Sequence, residues 1–278
     1  MKSTSDIARK YSEFLGKQLS DTVCDKHGTN YWKITRPSAD GPVVQEFCPE
    51  CQKEVISKKE ESELQKSLIN ADLAKTSLVF RKSSIISDDL KNASLSNFEI
   101  QTEFDSKALN FARRICRNYY EGKVGNAVLM GVPGVGKSHL SVAMADALND
   151  SLRRAGRPKS VIFMPVARLF SKIKSSFNGG SDFTEDYAIS FLTKVDYLFL
   201  DDLGKESSMS NQVKPASDWV QSVLFNILDA RQTTVINTNF SREQLLMIYD
   251  SALVDRIFKG ATQEKQVLIW HENSMSKR

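Results

Sequence analysis

Residues 131–138 read Gly131-Val132-Pro133-Gly134-Val135-Gly136-Lys137-Ser138, which is the G-x-x-x-x-G-K-[ST] spacing of a phosphate-binding loop. Its glycines allow backbone N–H groups to close around a polyphosphate, Lys137 can reach the terminal phosphates, and the Ser138 hydroxyl can hold Mg²⁺. A short apolar run at 126–130 precedes the loop as a buried parallel strand would, and helix-forming sequence follows directly. We therefore predict an α/β nucleotide-binding domain whose site includes the loop and His139. The alternative is a glycine-rich turn without a ligand.

A second apolar run, at 195–200, delivers two acidic residues, Asp201 and Asp202. In a parallel sheet the ligand crevice lies at the C-terminal ends of the strands. We predict that Asp201 binds Mg²⁺, directly or through water, and that Asp202 polarises the water that attacks the γ-phosphate. The alternative is that the two acids begin a solvated loop, but the phosphate-binding loop upstream favours the functional interpretation.

A third short run, at 234–239, is β-branched and ends in amide side chains. An asparagine at the tip of a strand beside the phosphate-loop strand can hold the attacking water opposite Asp202, and Asn239 is the candidate. The alternative for Asn237 and Asn239 is that they start a turn, after which Ser241-x-x-Gln244 caps the next helix. Both interpretations can hold together.

Three cysteines and one histidine near the N-terminus have the spacing of metal ligands: Cys24-x₂-His27 and Cys48-x₂-Cys51. Three thiolates and one imidazole are enough to close a tetrahedral Zn²⁺ site, so the predicted site is structural rather than catalytic. The segment 29–47 between the pairs predicts a small hairpin folded on the metal. Two alternatives stay open: a chance histidine near two unrelated cysteines, and another donor in place of His27.

Length and composition set the organisation of the chain. It has 278 residues and a formal net charge of +4, which is compatible with nucleic-acid binding but does not argue for it. A charged helical pattern at 53–75 and a serine-rich segment at 83–96 predict a zinc-binding domain over 1–75, a linker over 76–95 and an ATPase domain over 96–278. The N-terminus lacks an apolar signal region, and no run approaches the roughly 18 apolar residues of a membrane span. We expect a cytoplasmic protein that binds no membrane.

The ordered set of motifs resembles the AAA+ ATPases and, more narrowly, the DnaC/DnaI-type replicative helicase loaders and their IstB-like transposition relatives. The motifs are the loop at 131–138, Asp201-Asp202-Leu203-Gly204-Lys205-Glu206, Asp229-Ala230-Arg231, Thr238-Asn239 and Asp255-Arg256-Ile257. The resemblance spans about residue 90 to the C-terminus. It implies a parallel sheet flanked by helices, with ATP as the nucleotide. Many related ATPases carry glutamate where this chain has Asp202. Because aspartate is one methylene shorter and positions the water less well, we expect slow hydrolysis. A host or a phage origin fits equally.

The resemblance also assigns roles to individual residues. Arg256 matches the arginine that such ATPases insert into a neighbouring subunit's nucleotide site, with Arg231 a weaker candidate at the same interface. Arg278 matches an arginine that senses the γ-phosphate from the same chain. Lys174 and Phe177 match residues that contact phosphate and stack a base of single-stranded DNA. The alternative for Arg256 is a surface arginine paired with an acid. The alternative for Lys174 and Phe177 is an ordinary core helix with solvated lysines.

The implied partners are a replicative hexameric helicase and single-stranded DNA. Head-to-tail homo-oligomers of such subunits form rings or open helices, and the zinc-binding domain would hold the helicase. An IstB-like transposition helper, which binds duplex DNA and a transposase, is the second interpretation. A phosphate-loop kinase and an ATP-gated adaptor with negligible turnover are the remaining two.

Overall fold

The computed structural model describes residues 17–36, 42–177, 179–207, 213–263, 265–271, 274, 276 and 277. The chain divides into two compact units, residues 1–69 and 70–278. In the described part of the chain, none of the helices combines the length and the apolar character that a membrane span needs.

The first unit contains a three-stranded antiparallel sheet in chain order, formed by β1 (Lys17–Val23), β2 (Asn30–Arg36) and β3 (Val43–Phe47). Strands β2 and β3 confirm the predicted hairpin, with Trp32 opposite Phe47. Strand β1 was not predicted. Its residues are mostly polar, and its apolar side chains Leu19 and Val23 are exposed, so it has little of the apolar signal by which strands are recognised.

Helix α1 (Pro49–Ser83) follows β3 and is longer than the helical pattern at 53–75. The limit between the two compact units falls inside it. After α1 comes a short 3₁₀ helix, Asp88–Leu90, and Phe80, Ala93 and Phe98 are buried in the core of the second unit. The proposed domain limits of 1–75, 76–95 and 96–278 stay a prediction.

The second unit is built on a five-stranded parallel sheet in the order β5-β6-β7-β4-β8. The strands are β4 (Ala127–Met130), β5 (Val161–Pro165), β6 (Tyr197–Leu203), β7 (Thr234–Thr238) and β8 (Val267–Ile269). Alternate side chains enter opposite layers: Val128 and Met130 join one apolar cluster, while Ala127 and Leu129 join the other. The sheet is therefore covered by apolar side chains on both faces, as parallel sheets require.

Helices cover both faces of this sheet. Helices α2 (Glu103–Tyr120) and α3 (Lys137–Arg154) supply one layer. The other layer is supplied by α4 (Val166–Ser176), α5 (Glu185–Lys194), α6 (Asp218–Asp229), α7 (Arg242–Ile248) and α8 (Ser251–Ile257). The capping box expected at the start of α7 is confirmed, because the Ser241 and Gln244 side chains each accept from the other's backbone N–H. This α/β/α arrangement confirms the predicted fold class.

The strand order decides where the site forms. Strand β7 pairs with β4 on one side and with β6 on the other. The phosphate-binding loop, Asp201 with Asp202, and Asn239 thus emerge from three adjacent strands at the same edge of the sheet.

Candidate nucleotide site and candidate zinc site

The backbone of the phosphate-binding loop requires glycine. Gly131, Gly134 and Gly136 have φ angles of 143°, 90° and 94°, a region that other residues rarely adopt. Space is also lacking, because a Cβ atom at Gly134 would lie 2.4 Å from Oγ of Ser276. At the start of α3, Lys137 donates to the carbonyl oxygens of Gly131 at 2.7 Å and Val132 at 2.8 Å. The side chain of Lys137 is therefore held by the backbone of its own loop.

A cavity of about 860 Å³ opens at this edge of the sheet. Most of the residues predicted for nucleotide binding and catalysis line it: Pro133, Gly134, Gly136, Lys137, Ser138, His139, Asp201, Asp202 and Asn239. The loop residues Gly131, Val132 and Val135 are not among the described residues that line the cavity, and Val135 is buried. Arg256 is not among the described residues that line the cavity.

Asp201 is held by two neighbouring elements. Its Oδ1 accepts the Ser138 hydroxyl at 3.0 Å and the Asn237 amide at 2.6 Å. Burial raises the pKa of Asp201, against the lowering effect of the Asn237 hydrogen bond. The amide oxygen of Asn237 is buried and has no hydrogen-bond partner among the described residues. A carboxylate, a hydroxyl and an unpaired amide oxygen are hard oxygen donors, so these residues fit Mg²⁺.

Asp202 has a left-handed backbone with φ of 58°. Its Oδ1 lies 3.4 Å from the Asn239 amide nitrogen, and its Oδ2 lies 2.9 Å from Nζ of Lys205. The structure therefore brings together the two residues predicted to position the attacking water. Their roles stay predictions.

Sequence reasoning missed the contact of Asn237 with Asp201 and gave Asn237 no role beyond the alternative that it starts a turn. Its position offered a signal, because residues two apart on a strand point to the same side and Asn237 stands two before Asn239. The structure places Asn237 inside β7, almost fully buried.

Sequence reasoning also missed Lys277, which lines the cavity. Its backbone N–H donates to Gly134 at 2.9 Å, and Nζ lies 2.9 Å from Oδ1 of Asp105 and 4.1 Å from the ring centroid of Phe98. The prediction named its neighbour Arg278, which lies outside the described residues. Lys277 is thus the C-terminal residue that the structure places beside the loop, and its side chain pairs with Asp105 of α2.

Part of the cavity lining comes from the segment before α2. His139 hydrogen-bonds with Oδ1 of Asn97 at 3.1 Å, and its ring packs edge-on against Phe98 at 5.7 Å between centroids. Phe98 offers an apolar surface and Asn97 a polar one beside the loop. This combination suits a flat, hydrogen-bonding base.

Two predicted interface arginines have different surroundings. Arg256 is part-exposed on α8 and forms an ion pair with Asp229. Arg231 is buried and donates to the carbonyls of Leu192, Val195, Asp196 and Thr233 and to Thr234. Burial lowers the pKa of Arg231 to about 10. The assignment of Arg231 to a subunit interface, as the weaker candidate, is wrong. Its guanidinium is buried and donates to backbone carbonyls of its own chain beside β6 and β7.

The predicted DNA contacts lie at the end of α4. Phe177 is 60% exposed and packs edge-on against Trp219 at 5.6 Å between ring centroids. Nζ of Lys174 lies 5.7 Å from the Trp219 ring centroid. Trp219 was not predicted from the sequence, since it stands on α6 and only the fold brings it here.

The four predicted zinc ligands meet in the first unit, where their ligand atoms all lie within 4.8 Å of one another. Sγ of Cys24 is 3.7 Å from Sγ of Cys51, and Nδ1 of His27 is 3.4 Å from Sγ of Cys51. Tetrahedral ligands at Zn–S and Zn–N bond lengths stand about 3.7 Å apart. These distances and the donor set fit Zn²⁺.

Glu54 adds a second layer to this site. Its Oε1 lies 3.0 Å from Nε2 of His27, which leaves Nδ1 directed at the cysteines. The hydrogen bond with Glu54 raises the pKa of His27 to about 9. A carboxylate on the outer nitrogen of a histidine fixes the ring's orientation, so Glu54 supports His27 as the fourth ligand.

Comparison with known proteins gives a consistent family match. The family model of IstB-like ATP binding proteins matches residues 59–278. The replicative helicase loader DnaC of Escherichia coli (strain K12) is 28% identical over 175 residues, which cover 61% of this chain and 64% of that protein. The DnaC of Buchnera aphidicola subsp. Baizongia pistaciae is 28% identical over 173 residues, with the same coverage. The match thus spans just under two thirds of the length of these curated relatives.

A solved structure supports the fold. The crystal structure of the DnaC helicase loader aligns with a TM-score of 0.51 and 22% identity, and the alignment covers 66% of this chain and 100% of that one. At this identity, the likeness carries the fold of the second unit.

Proposed function

We propose that this chain, which belongs to the IstB-like ATP binding protein family, hydrolyses ATP and loads a replicative DNA helicase onto single-stranded DNA. The observation that carries the proposal is the meeting of Lys137, Ser138, Asp201, Asp202 and Asn239 around one cavity. The DnaC relatives, which are replicative helicase loaders by name, support the helicase as partner.

Each residue of the cavity has a part in hydrolysis. Lys137 and the loop N–H groups bind the phosphates, and Ser138 with Asp201 holds the magnesium. When bound there, Mg²⁺ would neutralise charge that develops on the phosphates. Asp202 accepts the proton that the attacking water gives up, and Asn239 orients that water. Lys277 and Phe98 close the side of the cavity beside the base.

Arg256 acts at the site of a neighbouring subunit in this proposal. It stands outside the lining of its own chain's cavity, and its partner Asp229 is half-exposed. Exposed ion pairs of this kind contribute about 0–1 kcal/mol, so Arg256 can exchange Asp229 for a nucleotide at small cost. A head-to-tail contact that repeats this step builds a ring or an open helix.

The zinc-binding domain, proposed as residues 1–75, holds the helicase, and the ATPase domain holds the DNA. Phe177 offers an exposed ring for stacking on a base, and Lys174 beside it offers a charge for the phosphate. A loader of this kind works in the bacterial cytoplasm, which is the location we propose.

The test is a loading assay on circular single-stranded DNA that carries single-stranded DNA-binding protein. Candidate replicative helicases are added with ATP and Mg²⁺, with and without this chain, and helicase retained on the DNA is measured. We expect retention that needs both the chain and ATP. Equal retention without the chain would remove the loader function.

A second candidate is a transposition helper that binds duplex DNA and a transposase. The match to the IstB-like family model favours keeping it, because that model spans the whole ATPase region. ATP-dependent binding to duplex DNA, with no helicase retained in the loading assay, would select it.

A further inference from the structure

Lys205 is a cationic residue of the cavity that stands in the motif at 201–206 but has no part in the proposed hydrolysis. It follows β6 and lines the cavity together with Asp202. Its Nζ lies 2.9 Å from Oδ2 of Asp202, with the two side chains 59% and 28% exposed. The residue proposed to accept a proton from water is therefore paired with an ammonium group of its own chain.

The backbone holds this pair in place. The pairing of β6 with β7 shifts register between Leu200 and Leu203, and Asp202 within the shift has φ of 58°. The N–H of Lys205 donates to the carbonyl of Asp202 at 3.2 Å, which closes a tight turn. Gly204 in that turn admits no side chain, because a Cβ atom would lie 2.6 Å from Phe240. The turn thus brings Lys205 close enough to the Asp202 carboxylate to form the ion pair.

Glu206 anchors the next position. Its Oε2 accepts the Gly204 N–H at 2.9 Å, and its Oε1 accepts the Tyr249 hydroxyl. Tyr249 is buried and Glu206 is part-buried. With the turn fixed at Gly204 and Glu206, the exposed side chain of Lys205 can leave Asp202 without rearrangement of the strand.

We propose that Lys205 is a positioning residue that restrains Asp202 and slows ATP hydrolysis while the two are paired. The attacking water has to reach a carboxylate oxygen of Asp202 for the proposed proton transfer. The ammonium occupies Oδ2, while the Asn239 amide occupies the side of Oδ1. The restraint deepens the proposed hydrolysis and rests on it.

The pair is weak enough to be released. Part-exposed ion pairs contribute at most about 1 kcal/mol, which corresponds to about fivefold in rate.

Steady-state ATPase rates of the full chain test this inference. Lys205→Met keeps the aliphatic stem and removes the charge, Lys205→Arg keeps the charge, and Lys214→Ala is the control for loss of an exposed lysine. We expect kcat to rise about three- to fivefold in Lys205→Met with KM for ATP unchanged. We expect both other variants to match the unaltered chain.

The dependence of kcat on salt concentration is a second test, because a merely structural role of Lys205 would not change it. Screening weakens an exposed ion pair, so kcat of the unaltered chain should rise between about 0.05 and 0.5 M salt relative to Lys205→Met. An unchanged or lower kcat in Lys205→Met, while Asp202→Asn still abolishes turnover, overturns the restraint and leaves hydrolysis standing. No turnover in any variant removes the proposed hydrolysis and the restraint with it.

Discussion

The side-chain amide of Asn237 donates to Oδ1 of Asp201 over 2.6 Å, at the oxygen that also accepts the Ser138 hydroxyl. The three residues stand on β7, on β6 and at the start of α3. Asn237 and Asp201 are almost fully buried. The proposed magnesium ligand is thus oriented by a neighbouring strand and not by its own.

Replacing the two asparagines separates metal binding from water positioning. Asn237→Ala leaves the buried Asp201 without its strongest donor, and a buried hydrogen bond to a charged group contributes about 1.5–3 kcal/mol. We expect Mg²⁺-ATP affinity to fall at least about tenfold, measured by calorimetry. Asn239→Ala is the matched control and should lower kcat while it keeps affinity. Equal affinity losses in both variants would contradict the separate roles.

Asp202→Asn tests the proposed proton acceptor. The amide keeps the size of the side chain and cannot accept a proton, so we expect kcat to fall about 10²-fold or more with nucleotide binding retained. A phosphate-release assay beside a nucleotide-binding assay measures both. Turnover at the original rate in Asp202→Asn would remove Asp202 from this role.

The buried carboxyl of Asp201 makes stability depend on pH. Its raised pKa means that the folded protein holds this proton more tightly than the unfolded chain does. Its favourable contribution is therefore present below the unfolded pKa of about 3.9 and is lost as pH rises through the folded pKa. At pH 7, without nucleotide and Mg²⁺, Asp201→Asn should raise Tm, by about 2–4 °C for each kcal/mol recovered.

Thermal melts at pH 4 and pH 7 measure this effect. The advantage of Asp201→Asn should shrink at pH 4, and the variant should lose the stabilisation that Mg²⁺-ATP gives the unaltered chain. A lower Tm for the variant at pH 7 would contradict the cost assigned to burial.

The zinc site predicts about one zinc per chain by elemental analysis, lost in Cys48→Ser. Glu54→Gln removes the carboxylate from the outer nitrogen of His27, so we expect zinc to be held about 10- to 100-fold more weakly in competition with a chelator. Glu50→Gln is a matched control, since the Glu50 carboxylate pairs with Lys53, and the contact of Glu50 with Cys48 is through its backbone, which the change keeps. Absence of zinc from the unaltered chain would remove the site.

Phe177→Ala tests the DNA contact. Stacking of a base on an aromatic ring is worth about 1–3 kcal/mol, so we expect affinity for a single-stranded oligonucleotide to fall about tenfold. Tyr187→Ala is the control, because Tyr187 is a half-exposed aromatic residue that stacks on Phe191 elsewhere in the unit. Equal effects of the two changes, measured by fluorescence anisotropy, would contradict a specific role of Phe177.

The fold of the second unit was predictable because its signals are local. An apolar run followed by the glycine-rich loop fixes β4 and α3, and the acids that end the run at 195–200 fix β6. The capping pair Ser241 and Gln244 marks the start of α7 in the same way.

The contacts that complete the site were not predictable because they join distant parts of the chain. The Asn237 to Asp201 bond depends on which strands are neighbours, and the Trp219 to Phe177 contact depends on how α4 and α6 pack. Lys277 reaches the loop only after β8 has returned the chain to β4. Spacing along the sequence carries none of these relations.

Native mass spectrometry of the chain with candidate replicative hexameric helicases tests the central claim most directly. Mixtures with ATP and Mg²⁺ and mixtures without nucleotide are compared, with Cys48→Ser as the variant that disrupts the proposed helicase-binding domain. We predict a defined complex with one of these helicases that is lost in Cys48→Ser. No complex with any of them, together with ATP-dependent binding to duplex DNA, would contradict the loader function.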